Sequence, residues 1–322
     1  MNNLKIAIVQ LGRIGDLVLI TPAFRLIKEK YPQSKLYLIA GRRNYDIALN
    51  NPYLDEIIIF NKKILPLFKF LFRIKFNNFD YWIDPKDHYS TESRLLASFI
   101  NARNKIGYNK PNKKRIFNID IPKTNQIIHH TLIGINALTP IGIQIPNQIP
   151  TPELYFANNE IFSSNVNELL KLNEYIFLNI SASMPHKKWS SDNWCKFLAE
   201  TEIFQKYNII INYTENEFDM ANDIKNKFPK LHYHNARSIR DVMKLIAESK
   251  LVITPDTAIV HIASAFKKPI FALYSGLDDF YEKFKPTTQI FKTVRAKNGD
   301  NGISSINPEK AINEFIEFFR LF

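Results

Sequence analysis

Apolar and polar positions along this chain come in blocks whose period changes. Residues 5–10, KIAIVQ, are an almost unbroken apolar run, the pattern of a strand covered on both faces. From 17 to 31 the apolar positions recur at three- and four-residue spacing, which predicts an amphipathic helix stopped by Pro32. Strands are predicted at 36–40, 56–60 and 81–84, with a helical piece at 45–49, a helix at 90–101 and a short segment at 105–107. Strands alternating with helices over short connections predict a doubly wound parallel sheet.

The pattern breaks at 141–152, IGIQIPNQIPTP, which holds three prolines and no helical period, and reads as an interdomain linker. Alternation then restarts, with strands at 175–180, 208–212, 251–254 and 270–274 and helices at 191–204, 218–228, 238–249 and 257–266. Asn307-Pro308 offers an N-cap and a first-turn proline for a last helix reaching about residue 319. The predicted fold class is α/β: two Rossmann-like domains, 1–150 and 151–305, facing a central cleft. The helix of 306–322 is expected to pack back toward the first domain. In open sheets of this kind ligands bind beyond the carboxyl ends of the strands.

Length and composition fit that organisation. The 322 residues are too many for one ordinary core, and 45% hydrophobic with 23% charged residues excludes a disordered or collagen-like chain. The single cysteine, Cys195, forms no intramolecular disulfide and no thiolate metal site, which fits a reducing compartment. The opening residues read as a strand rather than a signal peptide, and no uncharged apolar run is long enough to span a bilayer. Charge changes the picture more. Residues 1–150 hold 22 Lys and Arg against 10 Asp and Glu, whereas 151–322 hold 21 of each, so the whole net +12 sits on the first half. Such a field suits an anionic partner: nucleic acid, a lipid surface or a phosphorylated acceptor. The plainer alternative is a solvated surface in a Lys-rich composition.

Three loops after predicted strands carry candidate chemistry. Gly12-Arg13-Ile14-Gly15-Asp16 matches neither the dinucleotide fingerprint nor the P-loop, and leaves a tight turn with a carboxylate at a helix start. Asp16 reads as an N-cap or as a general base, and the two roles are compatible. Asp256-Thr257-Ala258-Ile259-Val260-His261 opens a helix after a buried strand; its N-terminus is either a diphosphate site or a capped core helix. Thr257 and His261 share one face of it. The loop 181–189, SASMPHKKW, adds Ser183, Lys187 and Lys188 at the same sheet edge. Residues 61–76, NKKILPLFKFLFRIKF, interleave Phe and Leu with five basic side chains. They form an interfacial helix for an anionic membrane or an amphipathic helix packing its aromatic face on the sheet, the second being the expectation. The basic run 103–115 is solvated or meets an anionic acceptor. With no D-x-D, H-E-x-x-H or paired cysteines, no dedicated metal site is expected, and the lack of a helix-turn-helix, RRM or zinc-finger pattern argues against nucleic acid.

Four stretches in order, RIGDLVLITPAFRLIKEKYP, NPYLDEIIIF, the 187–189 loop and TPDTAIVHIASAFKKPIFALYSG, resemble glycosyltransferase family 9, the bacterial lipopolysaccharide heptosyltransferases. The resemblance runs from about residue 4 to 277 and is weakest between 61 and 150. It implies the GT-B architecture, with an acceptor-binding first domain and a nucleotide-sugar donor domain second. It implies Asp16 as the catalytic base, within the acceptor-side loop of Gly12, Arg13 and Gly15. Donor-binding residues would be Ser183, Lys187, Glu217 (Glu215 less so), Asp256, Thr257, Ala258 and His261, with Ala258 where the family usually has glycine. The implied reaction is an inverting, metal-independent transfer of heptose from ADP-heptose, with no other cofactor, onto the anionic lipopolysaccharide inner core. A monomer, peripheral on the cytoplasmic face of the inner membrane, is implied as well. Alternatives are a family member using another nucleotide sugar or acceptor, or a non-catalytic basic module for nucleic acid or anionic lipid.

Overall fold

Runs of buried branched residues become parallel strands in a computed structural model that describes residues 3–124 and 126–322; Met1, Asn2 and Asn125 lie outside the described residues. The chain divides into two compact units, Met1–Ala157 and Asn158–Phe322. In the first, β1 (Lys5–Gln10), β2 (Lys35–Gly41), β3 (Glu56–Phe60), β4 (Phe79–Ile83), β5 (Ala102–Gly107) and β6 (Ile119–Asp120) are ordered β3-β2-β1-β4-β5-β6, and neighbours pair in parallel. Its helices are α1 (Ile14–Lys30), α2 (Ile64–Lys75), α3 (Thr91–Phe99) and α4 (His130–Asn136).

The second unit repeats the plan. After α5 (Ser164–Leu169) come β7 (Tyr175–Asn179), α6 (Ser191–Thr201), β8 (Asn208–Tyr213), α7 (Phe218–Lys227) and β9 (His232–Asn235). There follow α8 (Ile239–Glu248), β10 (Leu251–Pro255), α9 (Ala258–Ala265), β11 (Ile270–Tyr274), α10 (Asp278–Phe284), β12 (Phe291–Arg295) and α11 (Pro308–Phe319). The order β12-β11-β10-β7-β8-β9, again parallel throughout, is the first sheet's order read from its other edge. In both sheets the direction of winding reverses between two central strands, β1/β4 and β7/β10, and ligands of doubly wound sheets gather beyond the carboxyl ends at that point.

Each sheet is covered on both faces. Ala7, Val9, Tyr37, Ile39 and Ile58 on one face of the first sheet pack with Phe70 and Ile74 of α2 and Leu96 and Ala97 of α3. Helix α1 packs with α4. Pro22 inside α1 has no N–H for the Val18 carbonyl, and Thr21 Oγ1 donates to that carbonyl instead, at 2.7 Å. The same hydroxyl accepts from Glu153 N at 2.8 Å, and Arg25 Nε donates to Glu153 Oε1 at 2.7 Å. The stretch read as a linker is itself tied to the end of α1, with Lys30 Nζ donating to Gly142 O and Tyr31 Oη, just past the helix, donating to Ile141 O at 2.6 Å. The last helix, α11, packs on α6 and β12, and Ala311, Ile312, Phe315 and Phe318 lie in the second unit's core. Its amphipathic stripe finds its partner in the sheet it follows.

The strands β6, β9 and β12 and the helices α4, α5 and α10 were absent from the sequence reading. β9 (HYHN) and β12 (FKTVR) are sheet-edge strands with little apolar run. β6 is two residues long.

Candidate functional site

The first unit presents a small polar group after β1. Asn44, fully buried, donates through Nδ2 to Gln10 O at 3.0 Å and Gly12 O at 3.2 Å, fixing the turn that leaves the strand. Gly41 permits this packing, since a Cβ there would sit 2.6 Å from Leu11 O. Arg13 is the N-cap of α1 with extended backbone and no side-chain capping bond, and Gly15 and Asp16 fall in the first turn. Asp16 is therefore not the N-cap. Its carboxylate is about one-third exposed and has His130 Nε2, at the start of α4, 3.9 Å away. A negative charge in the first turn is favoured by the helix dipole, so the carboxylate is comfortable where it stands. Across the switch point, Asp84 follows β4; it is buried, Ser93 Oγ donates to its Oδ2, and its backbone N–H donates to Ile106 O at 2.9 Å. Burial pushes the Asp84 carboxyl up from the usual range, against the pull of Lys86 and the Ser93 hydroxyl.

The second unit presents a continuous polar array across four carboxyl ends. His234 Nδ1 lies 2.8 Å from Asn212 Oδ1, so that nitrogen carries the proton. Asn212 Nδ2 donates to Asn179 Oδ1 at 2.9 Å, and Asn179 Nδ2 donates to Thr254 Oγ1 at 3.1 Å and to Ser181 O at 2.9 Å. Thr254 Oγ1 in turn is 3.3 Å from Thr257 Oγ1, the N-cap of α9, which accepts from Ile259 N. Asparagine serves here because its amide both donates and accepts, carrying the chain from strand to strand without a charge.

On this array sit two lysines from one loop. Trp189 is buried edge-to-face on Trp194 with ring centroids 4.9 Å apart, and its Nε1 donates to Ile306 O at 3.3 Å. Ile303 N donates to His186 O at 2.9 Å, and Gly302 allows that approach, since a Cβ there would stand 2.8 Å from the same oxygen. So anchored, Lys187 Nζ reaches Asp256 Oδ2 at 2.7 Å and lies 4.3 Å from the Phe280 ring centroid. The two charged side chains are only 14% and 4% exposed. Lys188 Nζ meets Glu217 Oε1 at 2.6 Å, and Thr214 Oγ1 donates to Glu217 Oε2 at 2.6 Å. Burial alone would raise the Glu217 carboxyl, but the bonds from Lys188, Thr214 and Ser181 outweigh it and hold it below the usual range. Burial lowers His234, against the pull of Asp241.

Of the residues singled out in the sequence, Lys187, Asp256 and Thr257 come together, and Ala258 is the first residue of α9. His261 is buried on α9 with its ring centroid 6.2 Å from that of Phe284. Glu217 joins through Lys188 with its carboxylate 1% exposed, whereas Glu215 bonds Asn235 Nδ2 at 3.2 Å. Ser183 is exposed; the hydroxyl built into the array is Ser181, which accepts from Thr214 N at 2.8 Å. In the first unit Gly12, Arg13, Gly15 and Asp16 share one turn. Sequence reasoning passed over Asn179, Asn212, Thr254 and Asp84. Their signal is a polar residue closing an apolar strand, in YIFLN, NIIINY, LVIT and FDYWID.

Two Rossmann-type sheets, one ending in a cation-bearing array at a helix N-terminus, define an α/β protein with a site suited to an anionic ligand. The family model of glycosyltransferase family 9 (heptosyltransferase) matches residues 67–301, and the chain belongs to that family of glycosyltransferases. It is 20% identical to lipopolysaccharide heptosyltransferase 1 of Campylobacter coli, over 98% of this chain and 99% of that one. Its fold is that of the family 9 glycosyl transferase of Veillonella parvula (TM-score 0.80, 16% identity, 100% and 98% of the two chains). It is likewise that of the E. coli ADP-heptose lps heptosyltransferase II (TM-score 0.78, 17% identity, 99% of each chain). The fold is thus GT-B.

Proposed function

We propose that the protein transfers a heptose from ADP-heptose onto the inner core of lipopolysaccharide, with inversion at the anomeric carbon. The observation that carries the reading is the Lys187–Asp256 pair beside the Thr257-capped start of α9, at the switch point of the second sheet. The related enzymes support the substrate class: one is named for lipopolysaccharide, the other for ADP-heptose as well.

In this reading the acceptor hydroxyl gives its proton to the Asp16 carboxylate as its oxygen attacks the anomeric carbon. The carbon–oxygen bond to the diphosphate breaks with its electron pair, and ADP leaves. Lys187 and the first N–H groups of α9 take up the charge that develops on the leaving diphosphate, and the scheme needs no metal. Asp256 holds Lys187 in place before the donor arrives, and the diphosphate then competes for the ammonium. Glu217, enclosed with Lys188, secures the loop that carries Lys187. The anionic acceptor falls to the first unit, whose surplus of basic residues suits it, and the protein works as a monomer on the cytoplasmic face of the inner membrane.

A thermal-shift panel of nucleotide sugars tests the donor, because a ligand that binds only the folded state stabilises it. ADP-heptose should raise the melting temperature and GDP- and UDP-sugars should not. Asp16→Asn should lower kcat about 10²–10⁴-fold with that shift intact. A variant as active as the parent would remove Asp16 from the chemistry, and a shift given by another nucleotide sugar alone would replace the donor.

A further inference from the structure

Helix α2 has two apolar faces, and the sheet uses only one. Phe70 and Ile74 are buried, with Leu67 and Leu71 packed beside them, the i, i+3, i+4, i+7 set of a core-facing stripe. Leu65, Phe68 and Phe72 form a second stripe and are each about two-thirds exposed, as is Phe76 just beyond the helix. The expectation that the aromatic face would pack on the sheet holds for Phe70 alone among the α2 phenylalanines. Leu95 and Phe99, one turn apart on α3, are each 57% exposed, and Phe99 and Ser98 line a shallow groove with Phe68, Leu71 and Phe72. Elsewhere in the described chain exposed large apolar side chains come singly or in adjacent pairs such as Ile290–Phe291 and Leu321–Phe322. Here they are contiguous, and such patches mark interaction surfaces.

The rim of the patch is cationic. Lys75 flanks the outer stripe of α2 on one side, and Lys69 and Arg73 flank it on the other, by helical spacing. The helix carries no acidic residue. Arg73 is paired with Glu56 at 2.8 Å, but Lys63, Lys69 and Lys75 have no ion pair among the described residues. No helix among them is long and apolar enough to cross a membrane.

We propose that this α2–α3 face is a docking surface for an anionic lipid bilayer. Phe68, Phe72, Leu65 and Phe99 enter the boundary between headgroups and acyl chains while Lys63, Lys69 and Lys75 meet lipid phosphates. Apolar insertion combined with electrostatic attraction is the physics of an interfacial helix. Nucleic acid would answer the lysines but leave branched Leu65 and Leu95 wet, and a second copy would set these lysines against one another. The proposal deepens the functional reading, which has a lipid-linked acceptor, by naming the surface that meets the lipid.

Flotation of the full chain with phosphatidylglycerol-containing and with pure phosphatidylcholine vesicles tests it, read without donor. The protein should float with the anionic vesicles and stay largely free with the neutral ones. The double variant Phe68→Ser/Phe72→Ser should lose at least about ten-fold in partitioning, as should Lys69→Glu/Lys75→Glu at low salt, with raised salt weakening the parent's binding. These exposed positions leave the melting temperature and the nucleotide-sugar shift as in the parent. Variants that float like the parent would overturn the proposal. So would a concentration-dependent dimer abolished by Phe68→Ser/Phe72→Ser, or displacement from vesicles by an oligonucleotide. Failure of the functional reading would show separately, as an absent nucleotide-sugar shift in a protein that still floats.

Discussion

The two units share a strand order but end their strands differently. Beyond β7, β8, β9 and β10 the second unit runs an unbroken chain of amide, hydroxyl and imidazole contacts and closes two charged pairs, Lys187–Asp256 and Lys188–Glu217, whose carboxylates are nearly dry. Beyond β1 the first unit leaves Gln10 Oε1 and Asn44 Oδ1 buried with no hydrogen-bond partner, and a part-exposed Asp16 whose nearest cation-forming group is 3.9 Å away. A buried polar atom without a partner costs about 1–3 kcal/mol. The second site is preorganised, its side chains locked by one another before any ligand binds, which suits the small, charged donor proposed for it. The first keeps its carboxylate uncommitted, which agrees with the proposed role of Asp16 as a base that accepts a proton from an acceptor hydroxyl.

Breaking the Lys187–Asp256 pair should therefore hurt most, on stability as well as on binding. Lys187→Ala removes the ammonium that meets the Asp256 carboxylate, which is only 4% exposed in the pair, and removing one partner of a buried pair costs about 3 kcal/mol. Asp256→Asn should cost less, because the ammonium left behind keeps the Phe280 ring and some water. Urea midpoints of the two variants, followed by Trp189 and Trp194 fluorescence, check the order. Arg115→Gln, which opens the exposed Arg115–Asp120 pair of the first unit, should leave its midpoint in place. Equal losses from Lys187→Ala and Arg115→Gln would erase the contrast between a dry site and a wet surface.

Acid should push the two units in opposite directions. His234 is depressed by burial, so its contribution is complete above the ordinary histidine value and drains away as pH falls through it. Glu217, also depressed, adds a second loss at lower pH, below the ordinary carboxyl value. Asp84 is raised by burial, so its contribution is complete below the ordinary carboxyl value and is lost as pH rises through the folded one. Between pH 7 and 5 the second unit should weaken while the first holds or gains. Trp82 reports the first unit, and Trp189 and Trp194 report the second, so tryptophan-to-phenylalanine variants separate the two unfolding signals. His234→Gln should flatten the second unit's acid loss, and Asp84→Asn should remove the first unit's gain.

The contrast also explains what could be read from the sequence. The strands that carry the sites, β1, β7 and β10, are buried on both faces, and their unbroken apolar runs announce them. The loops that follow inherit their positions, so the segments holding Asp16, Lys187, Asp256 and Thr257 were legible as candidates, while the roles of these residues came only as implied by the resemblance. Edge strands such as β9 are polar because one side lacks a neighbour, and they left no run to find. Ser183 was implied by the resemblance, and loop sequence does not say which hydroxyl turns inward; Thr214 N, 33 residues on, bonds Ser181. The outward stripe of α2 was misjudged for a related reason. Two apolar stripes on one helix look like a single broad one until the sheet chooses between Phe70 and Phe68.

The smallest expected effect concerns Ala258, the position where the resemblance to the family implies a usual glycine. As the first residue of α9, after a capping Thr257 whose hydroxyl accepts from Ile259 N, it sits in regular helical backbone where a Cβ is tolerated. Ala258→Gly would trade that fit for backbone freedom, a loss of up to about 0.5–1 kcal/mol in a helix interior and less at its first turn. The donor's approach to the helix N-terminus should then change little, with KM for the nucleotide sugar moving by less than about three-fold. A large fall in KM with glycine would mean that the methyl group holds the diphosphate away from the N–H groups of α9. The second site would then be preorganised for something larger than the contact that glycine permits.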